Sequence, residues 1–266
     1  MQVTPSVASD LLSRYGLRAG RKHGQHFLVD PNTVRRIVRL AEISPDETIL
    51  EIGPGLGSLT VALSEAAKRV VAIEIDADVA EALQEVVGEL ANVEVVLADA
   101  MHIDAPSGQS RLVANLPYSV ATPLIVRVLD EFPSVRGGLV MVQRELGERW
   151  TATPGSRAYG SVSVHIAYRA SARIVGDVPR SVFMPPPKVS SVLVAFERRT
   201  KPPVDVADEE SFFAFVRKAF GQRRKMLRNS LGIVSDVTDA CGITPQARPE
   251  DVSIEQYACL FAAVTR

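Results

Sequence analysis

Asn115-Leu116-Pro117-Tyr118 brings a side-chain amide, a backbone carbonyl ahead of a proline and an aromatic ring into four consecutive residues. The Asn115 side-chain oxygen and the Leu116 carbonyl are adjacent acceptors. Pro117 adds no competing N–H and biases Leu116 toward extended backbone, while Tyr118 offers a flat face for stacking. Such a set suits a planar ligand carrying an exocyclic amino group. The lone pair of that amine is delocalised into its ring, which makes it a poor nucleophile. Acceptors on both amino hydrogens aim the nitrogen and reduce the conjugation. Toward an electrophile that is already activated, positioning and electrostatics carry the rate and no strong general base is required, so no histidine is given a catalytic role. Taken alone, the run predicts amino-group chemistry on some nucleobase or amide. A second aromatic wall is expected at Phe183, in Phe183-Met184-Pro185-Pro186-Pro187-Lys188-Val189, because prolines stiffen the loop that would hold the ring.

A cofactor site is expected earlier in the chain. Glu51-Ile52-Gly53-Pro54-Gly55-Leu56-Gly57 joins a strand-like run to a helical one. Gly53, Gly55 and Gly57 let the backbone turn sharply and come close to a ligand, and the following helix start presents unpaired amides. Glu74 stands roughly 20 residues on, the spacing at which an acid accepts from both ribose hydroxyls of a nucleoside. Asp99, after the next strand, can take the amino group of an adenine ring, and Asp76 reads as the N-cap of a helix over 77–90. The glycine spacing is G-x-G-x-G, whereas the pyrophosphate-binding fingerprint is G-x-G-x-x-G. A phosphate-free nucleoside such as S-adenosylmethionine suits the loop.

These residues need a sheet to hold them. From Thr48 to about Phe196, short Val- and Ile-rich runs alternate with amphipathic stretches, the pattern of a mostly parallel sheet with crossover helices. Seven strands are predicted, over 48–52, 69–75, 93–97, 111–114, 138–143, 161–168 and 190–196. Asp30-Pro31 opens a helix whose apolar face is Val34, Ile37, Val38 and Ala41. Lys201-Pro202-Pro203 reads as a linker into a helical appendage, opened by Asp208 and closed by a helix over 253–264. The organisation expected is therefore α/β and Rossmann-like: an N-terminal arm over 1–30 that adds to the cofactor and substrate sites, a sheet domain over 31–200 and a small all-α domain over 201–266.

Composition sets the outer bounds. With 266 residues, 46% of them hydrophobic, the chain can bury one large core and a smaller one. The formal net charge of -1 gives no reason to expect a polyanionic partner, so a nucleic-acid surface requires local segregation of basic residues. Cys241 and Cys259 match neither a zinc pair nor a disulfide framework and are read as packing residues. No apolar run approaches the roughly 20 residues of a membrane span and no signal-peptide layout opens the chain, so a cytoplasmic location without membrane contact is expected.

The segregation exists. Arg217, Lys218, Arg223, Arg224, Lys225 and Arg228 fall in one stretch without an acid, interleaved with Phe220, Met226 and Leu227. Exposed together they form a phosphate-binding stripe, to which Arg18, Arg21, Lys22 and His23 can add.

From about Gly24 to Leu231 the chain closely resembles the KsgA/RsmA family of small-subunit rRNA adenine dimethyltransferases. The resemblance rests on Gly24-Gln25 with Phe27-Leu28, the glycine loop, Asn115 to Tyr118, Phe183 with Pro185 to Val189, and Gln222-Arg223-Arg224-Lys225 with Arg228-Asn229-Ser230. It implies a class I methyltransferase fold, S-adenosylmethionine as cofactor and no metal. The implied substrate is two adjacent adenosines in the 3′-terminal hairpin loop of 16S rRNA, dimethylated at N6 in an immature 30S subunit by a monomer. It also implies cofactor contacts at His26, Leu28, Gly53, Glu74, Asp99 and Asn115. Where the family usually has asparagine, this chain has His26. Two other readings stand beside it: a 23S rRNA adenine methyltransferase giving macrolide resistance, from which the Phe183 loop and the Gln222 to Ser230 run separate it, and a non-catalytic assembly factor, against which Glu74, Asp99 and Asn115 count.

Overall fold

Strands that read as unbroken Val and Ile runs require cover on both faces, and in the computed structural model the inner ones, over 48–52, 69–74, 111–115 and 137–143, receive it, while the edge strand over 93–97 is partly exposed. The structure describes residues 2–17, 26–105, 107–108, 111–222 and 225–265. The strands are β1 (Phe27–Leu28), β2 (Thr48–Ile52), β3 (Arg69–Glu74), β4 (Val93–Leu97), β5 (Arg111–Asn115), β6 (Gly137–Gln143), β7 (Ala170–Val178), β8 (Phe183–Met184) and β9 (Ser191–Arg198). Seven form one sheet in the order β4-β3-β2-β5-β6-β9-β7, while β1 and β8 pair as an antiparallel ribbon. The pairs among β2 to β6 are parallel and β9 runs antiparallel to β6. From β2 the chain builds outward through β3 and β4, then returns to the other side of β2 with β5. The switch point therefore lies between β2 and β5, where open α/β sheets leave a crevice.

The chain forms two units, Met1–Gly147 with Arg173–Arg198, and Glu148–Ala172 with Arg199–Arg266. In the first, the helix Pro31–Leu40 is capped by Asp30, which accepts from the Thr33 amide at 2.7 Å. Asp76 caps the helix Ala77–Val87 in the same manner. The arm before β1 is not a mere extension: Pro5–Arg14 is a helix whose Ala8 and Leu11 pack with Val79, Leu83 and Phe27.

The second unit corrects three expectations. Residues 161–168 are no strand; Ser161–Arg169 is a helix and the strand begins after it, at Ala170. The alternation of Val162, Val164, Ile166 and Tyr168 mimics a period of two, but Val164 and Tyr168 are also four apart and share a core with Phe212 and Phe213, so helical burial wins. The boundary shifts with it. Residues 148–172 belong with the helical unit and not with the sheet domain, because Tyr159, Val164 and Tyr168 complete the core of Tyr257, Leu260 and Phe261. Cys241 and Cys259 are not simply packing residues but a disulfide, closing 18 residues of sequence between the end of helix Ser235–Ala240 and the helix Ile254–Val264. Nothing in their spacing announced a pairing that only tertiary folding creates. By loop-closure entropy a loop of this size contributes about 3 kcal/mol. Reduction is accordingly expected to lower the urea midpoint of this unit. A Cys241→Ser, Cys259→Ser variant should unfold at the reduced midpoint with or without reductant, and an unchanged parent midpoint would show the bridge to be idle.

Candidate active site

The first unit opens a cavity of about 210 Å³ at the switch point, lined from the ends of β2, β3 and β5, the segment after β4, and β1. It holds His26, Leu28, Gly53, Gly55, Glu74, Asp99, Asn115, Leu116, Pro117 and Tyr118 together. Residues from five separate segments of sequence thus meet in one crevice. Gly57 lies behind it, with φ at +84°, as the N-cap of the helix Ser58–Ala66.

The glycine loop is shaped from below. Gly55 has φ at +56°, and a Cβ there would stand 2.9 Å from the Phe27 ring. Its amide donates to Glu74 Oε2 at 3.2 Å, while Glu74 Oε1 accepts from the Ile75 and Asp76 amides at 3.0 and 3.1 Å. Three backbone donors therefore aim a carboxylate that is only 4% exposed. Burial raises its pKa, and the same amides pull against that rise. Asp99 goes the other way: the Met101 amide at 2.8 Å, then His102, holds it below the ordinary range. Both acids are ready acceptors, with most of their orientation fixed before a ligand arrives.

At the end of β5, the Asn115 Nδ2 group donates to the His26 carbonyl at 3.3 Å, which turns Oδ1 the other way; Oδ1 is buried and has no partner among the described residues. A buried acceptor of this kind costs free energy until a donor reaches it. Gly53 links the two halves of the site, since a Cβ on it would lie 3.3 Å from the Pro117 ring. Leu116 is 1% exposed and its amide donates to Met141 on β6 at 3.1 Å. The motif is anchored to the neighbouring strand. Tyr118 places its hydroxyl 2.7 Å from that of Ser191 and sets its ring 5.9 Å from the His26 imidazole, centroid to centroid.

Phe183 does not form the second wall. It is 2% exposed, pairs with Leu28 across the β1-β8 ribbon and packs among Leu28, Val182 and Leu193. The proline-rich loop was expected to display a ring, but its apolar first residue is taken into the core instead. His26 meets this loop: its Nδ1–H donates to the Pro185 carbonyl at 2.7 Å. Since the backbone carbonyl of residue 26 makes the contact to Asn115, His26→Asn is expected to keep or tighten S-adenosylmethionine binding by calorimetry, with any loss below about threefold. A larger loss would assign the imidazole a role of its own.

Sequence reasoning passed over Glu51. Glu51 lines the cavity, is 1% exposed and leaves Oε2 without a partner among the described residues, beside a Thr60 hydroxyl in the same condition. Burial pushes the acid up to about 8; Thr60 lies close enough to temper the rise without meeting hydrogen-bond geometry, and the Glu74 charge adds to it. The signal was an acid in an otherwise apolar strand, T-I-L-E-I. An unfolded carboxyl loses its proton near 4.5. Between there and about 8 the folded state holds the extra proton, so stability falls as pH rises through that window, by up to about 1.4 kcal/mol per pH unit. Urea midpoints should therefore drop from pH 5 to pH 8 in the parent and drop less in Glu51→Gln. Parallel profiles would mean that Glu51 is charged throughout.

Of the six basic residues, Arg217 and Lys218 are exposed on the last turn of helix Glu209–Phe220, Lys225 is exposed, and Arg228 is half-buried on Leu227–Leu231. All four belong to the second unit. Arg223 and Arg224 lie outside the described residues, as do Arg18, Arg21, Lys22, His23, Gly24 and Gln25.

A crevice at the switch point of this seven-stranded sheet, with a buried, backbone-aimed carboxylate and an unmet acceptor on its walls, is that of a class I S-adenosylmethionine-dependent methyltransferase. The glycine cradle and the buried Glu51 oxygen, unpartnered among the described residues, fit such a cofactor: one admits a ligand closely and the other is an acceptor still to be met. The chain belongs to the ribosomal RNA adenine dimethylase family, which it matches over residues 16–266. It is 46% identical to the ribosomal RNA small subunit methyltransferase A of Kineococcus radiotolerans, over 95% of this chain and 88% of that one. It is 45% identical to the protein of the same name in Thermobifida fusca, over 96% and 94%. Among solved structures it is similar to a dimethyladenosine transferase from Plasmodium falciparum, at 25% identity and a TM-score of 0.79 over 90% of this chain and 98% of that one. It is also similar to the 23S rRNA methyltransferase ErmE, at 28% identity and a TM-score of 0.73 over 90% and 100%. The chain is an S-adenosylmethionine-dependent rRNA adenine dimethyltransferase.

Proposed function

We propose that the substrate is the small-subunit RNA, at two adjacent adenosines in the 3′-terminal hairpin loop of 16S rRNA within an immature 30S particle, and that the protein acts there as a cytoplasmic monomer. The target rests on relatives named for the small subunit that are 43% identical or more over nearly the whole chain, against 28% for the large-subunit enzyme ErmE. The mechanism rests on a single observation, the buried and unpartnered Oδ1 of Asn115.

When bound, S-adenosylmethionine supplies a methyl group already activated by its sulfonium. Asn115 Oδ1 accepts one hydrogen of the adenine amino group and the Leu116 carbonyl the other, which turns the nitrogen lone pair out of the ring conjugation. Tyr118, tied to Ser191, stands as a rigid wall beside the base. Glu74 and Asp99 hold the nucleoside end of the cofactor, with Gly53, Gly55 and Leu28 shaping its seat. The amine proton leaves to water once the nitrogen has become cationic, so no side chain need act as a strong base. Arg217, Lys218, Lys225 and Arg228 contact RNA phosphates, with Arg223 and Arg224 in the same stretch of sequence.

The deciding test offers labelled cofactor with 30S particles or 50S precursors from cells lacking the modification, then maps the methylated adenines. Dimethyladenosine at the 3′ hairpin of 16S rRNA is expected. Label confined to large-subunit RNA would overturn the assignment.

A further inference from the structure

Beyond the basic stretch of the helical unit, the sheet-bearing unit carries a cationic cluster of its own. From Ser171 to Ser191 the sequence holds Arg173, Arg180 and Lys188 against a single acid, Asp177. The fold brings two distant arginines to the same place. Arg36, from the helix Pro31–Leu40, lies over Gly176 and donates to the Asp177 carbonyl at 2.8 Å. Arg144, just after β6, donates from its amide to the Ser190 carbonyl at 3.0 Å and reaches the Asp177 carboxylate at 2.7 Å. Arg180 spans back to the Lys188 carbonyl at 3.1 Å. Asp177 is 72% exposed at its side chain, so its pairing with Arg144 is a surface ion pair, worth little in stability and easily exchanged for another anion.

Location gives the cluster its meaning. Lys188 follows Pro185 by three residues, and Pro185 is held against the catalytic cavity by the His26 hydrogen bond. Three residues of extended chain reach at most about 11 Å, so Lys188, and Arg180 bonded to its carbonyl, lie within that reach of the residue that meets His26 of the cavity lining. A glycine at 176 leaves room for the Arg36 guanidinium against the backbone, since a Cβ there would stand 2.0 Å from its Nη2. Among the described residues no carboxylate pairs with this guanidinium, which leaves its charge for a ligand.

We propose that Arg36, Arg144, Arg180 and Lys188 form a phosphate-binding surface for the RNA strand directly flanking the target adenosine. This rests on the reading that the substrate is structured ribosomal RNA. The strand enters past the Pro185 to Val189 loop, and its phosphates replace the Asp177 carboxylate as the partners of Arg144. Phosphate contacts fix register and orientation without reading sequence. The surface therefore sets which adenosine reaches Asn115.

The test measures binding of unmethylated 30S particles and of 50S precursors across a series of potassium chloride concentrations, with cofactor affinity followed separately by calorimetry. Arg180→Ala with Lys188→Ala is expected to weaken 30S binding about tenfold and to flatten the slope of log Kd against log salt by about 1.5, close to two lost phosphate contacts. S-adenosylmethionine affinity should stay within twofold. Lys188→Ala alone should flatten the slope by about half as much, which guards against a folding defect in the double variant. Lys68→Ala, at the far end of β3, should match the parent. A parental slope in the double variant, or weaker binding with an unaltered slope, would overturn the proposal. If the parent binds and methylates only the 50S precursor, the assignment of the target fails, and the slope measured on that particle still decides the surface.

Discussion

Asn115→Ala is expected to lower methyl transfer to ribosomal RNA by at least about 100-fold, the scale set by removing one preorganised group from a reacting site, while cofactor affinity falls less than about tenfold. The asymmetry follows from where the two ends of the amide go. Nδ2 binds the His26 carbonyl, and Oδ1 of this cavity-lining residue is left buried with no partner among the described residues. Alanine removes both, but in the proposed mechanism only the second is made with the reacting amine. Single-turnover rates on 30S particles and calorimetry with S-adenosylmethionine separate them. A tenfold loss of cofactor affinity with single-turnover rates intact would move Asn115 from the substrate to the cofactor side of the site.

Gly138→Ala should destroy the active fold. A Cβ at this position, in the interior of β6, would lie 2.0 Å from the Leu112 carbonyl oxygen on β5. Backbone cannot yield there as a flexible side chain would, so the strands must separate. The cost belongs with the largest of single substitutions, above about 4 kcal/mol. The damage would not stay local, because β5 ends in Asn115 and the Leu116 amide is bonded to Met141 on β6. Low soluble yield and a collapsed urea midpoint are expected. A variant with parental stability and turnover would show that the β5–β6 seam is far softer than its geometry implies.

Much of the site was legible because its residues cluster at strand ends, where spacing along the chain reports position in space. Gly53, Glu74, Asp99 and Asn115 each follow a run of Val and Ile, and the parallel sheet converts that repetition into a shared edge. Six of the seven strands could be read for the same reason. What escaped depends on contacts between distant segments. Tyr118 finds Ser191 across 73 residues, His26 finds Pro185 across 159, and the arginines that share Asp177 come from separate elements. The helix Ser161–Arg169 was misread because period two and period four coincide over so short a run, and only the phenylalanines of a later helix decide between them. Phe183 was misplaced for a related reason: a stiff loop says that a ring is held, not which side receives it.

The unmet oxygen of Asn115 also bears on how the reaction ends. Adenosine brings two amino hydrogens to the cavity, the singly methylated base brings one, and the dimethylated base brings none. With Asn115 reading the amine, the finished product returns Oδ1 to the unpartnered state in which the structure shows it, at a cost of about 1–3 kcal/mol for a buried acceptor. The half-finished base still has a hydrogen to offer and keeps a hold that the product lacks. Departure is thus favoured after the second transfer over the first, and the same atom that selects an amine at entry acts as a counter of its remaining hydrogens at exit.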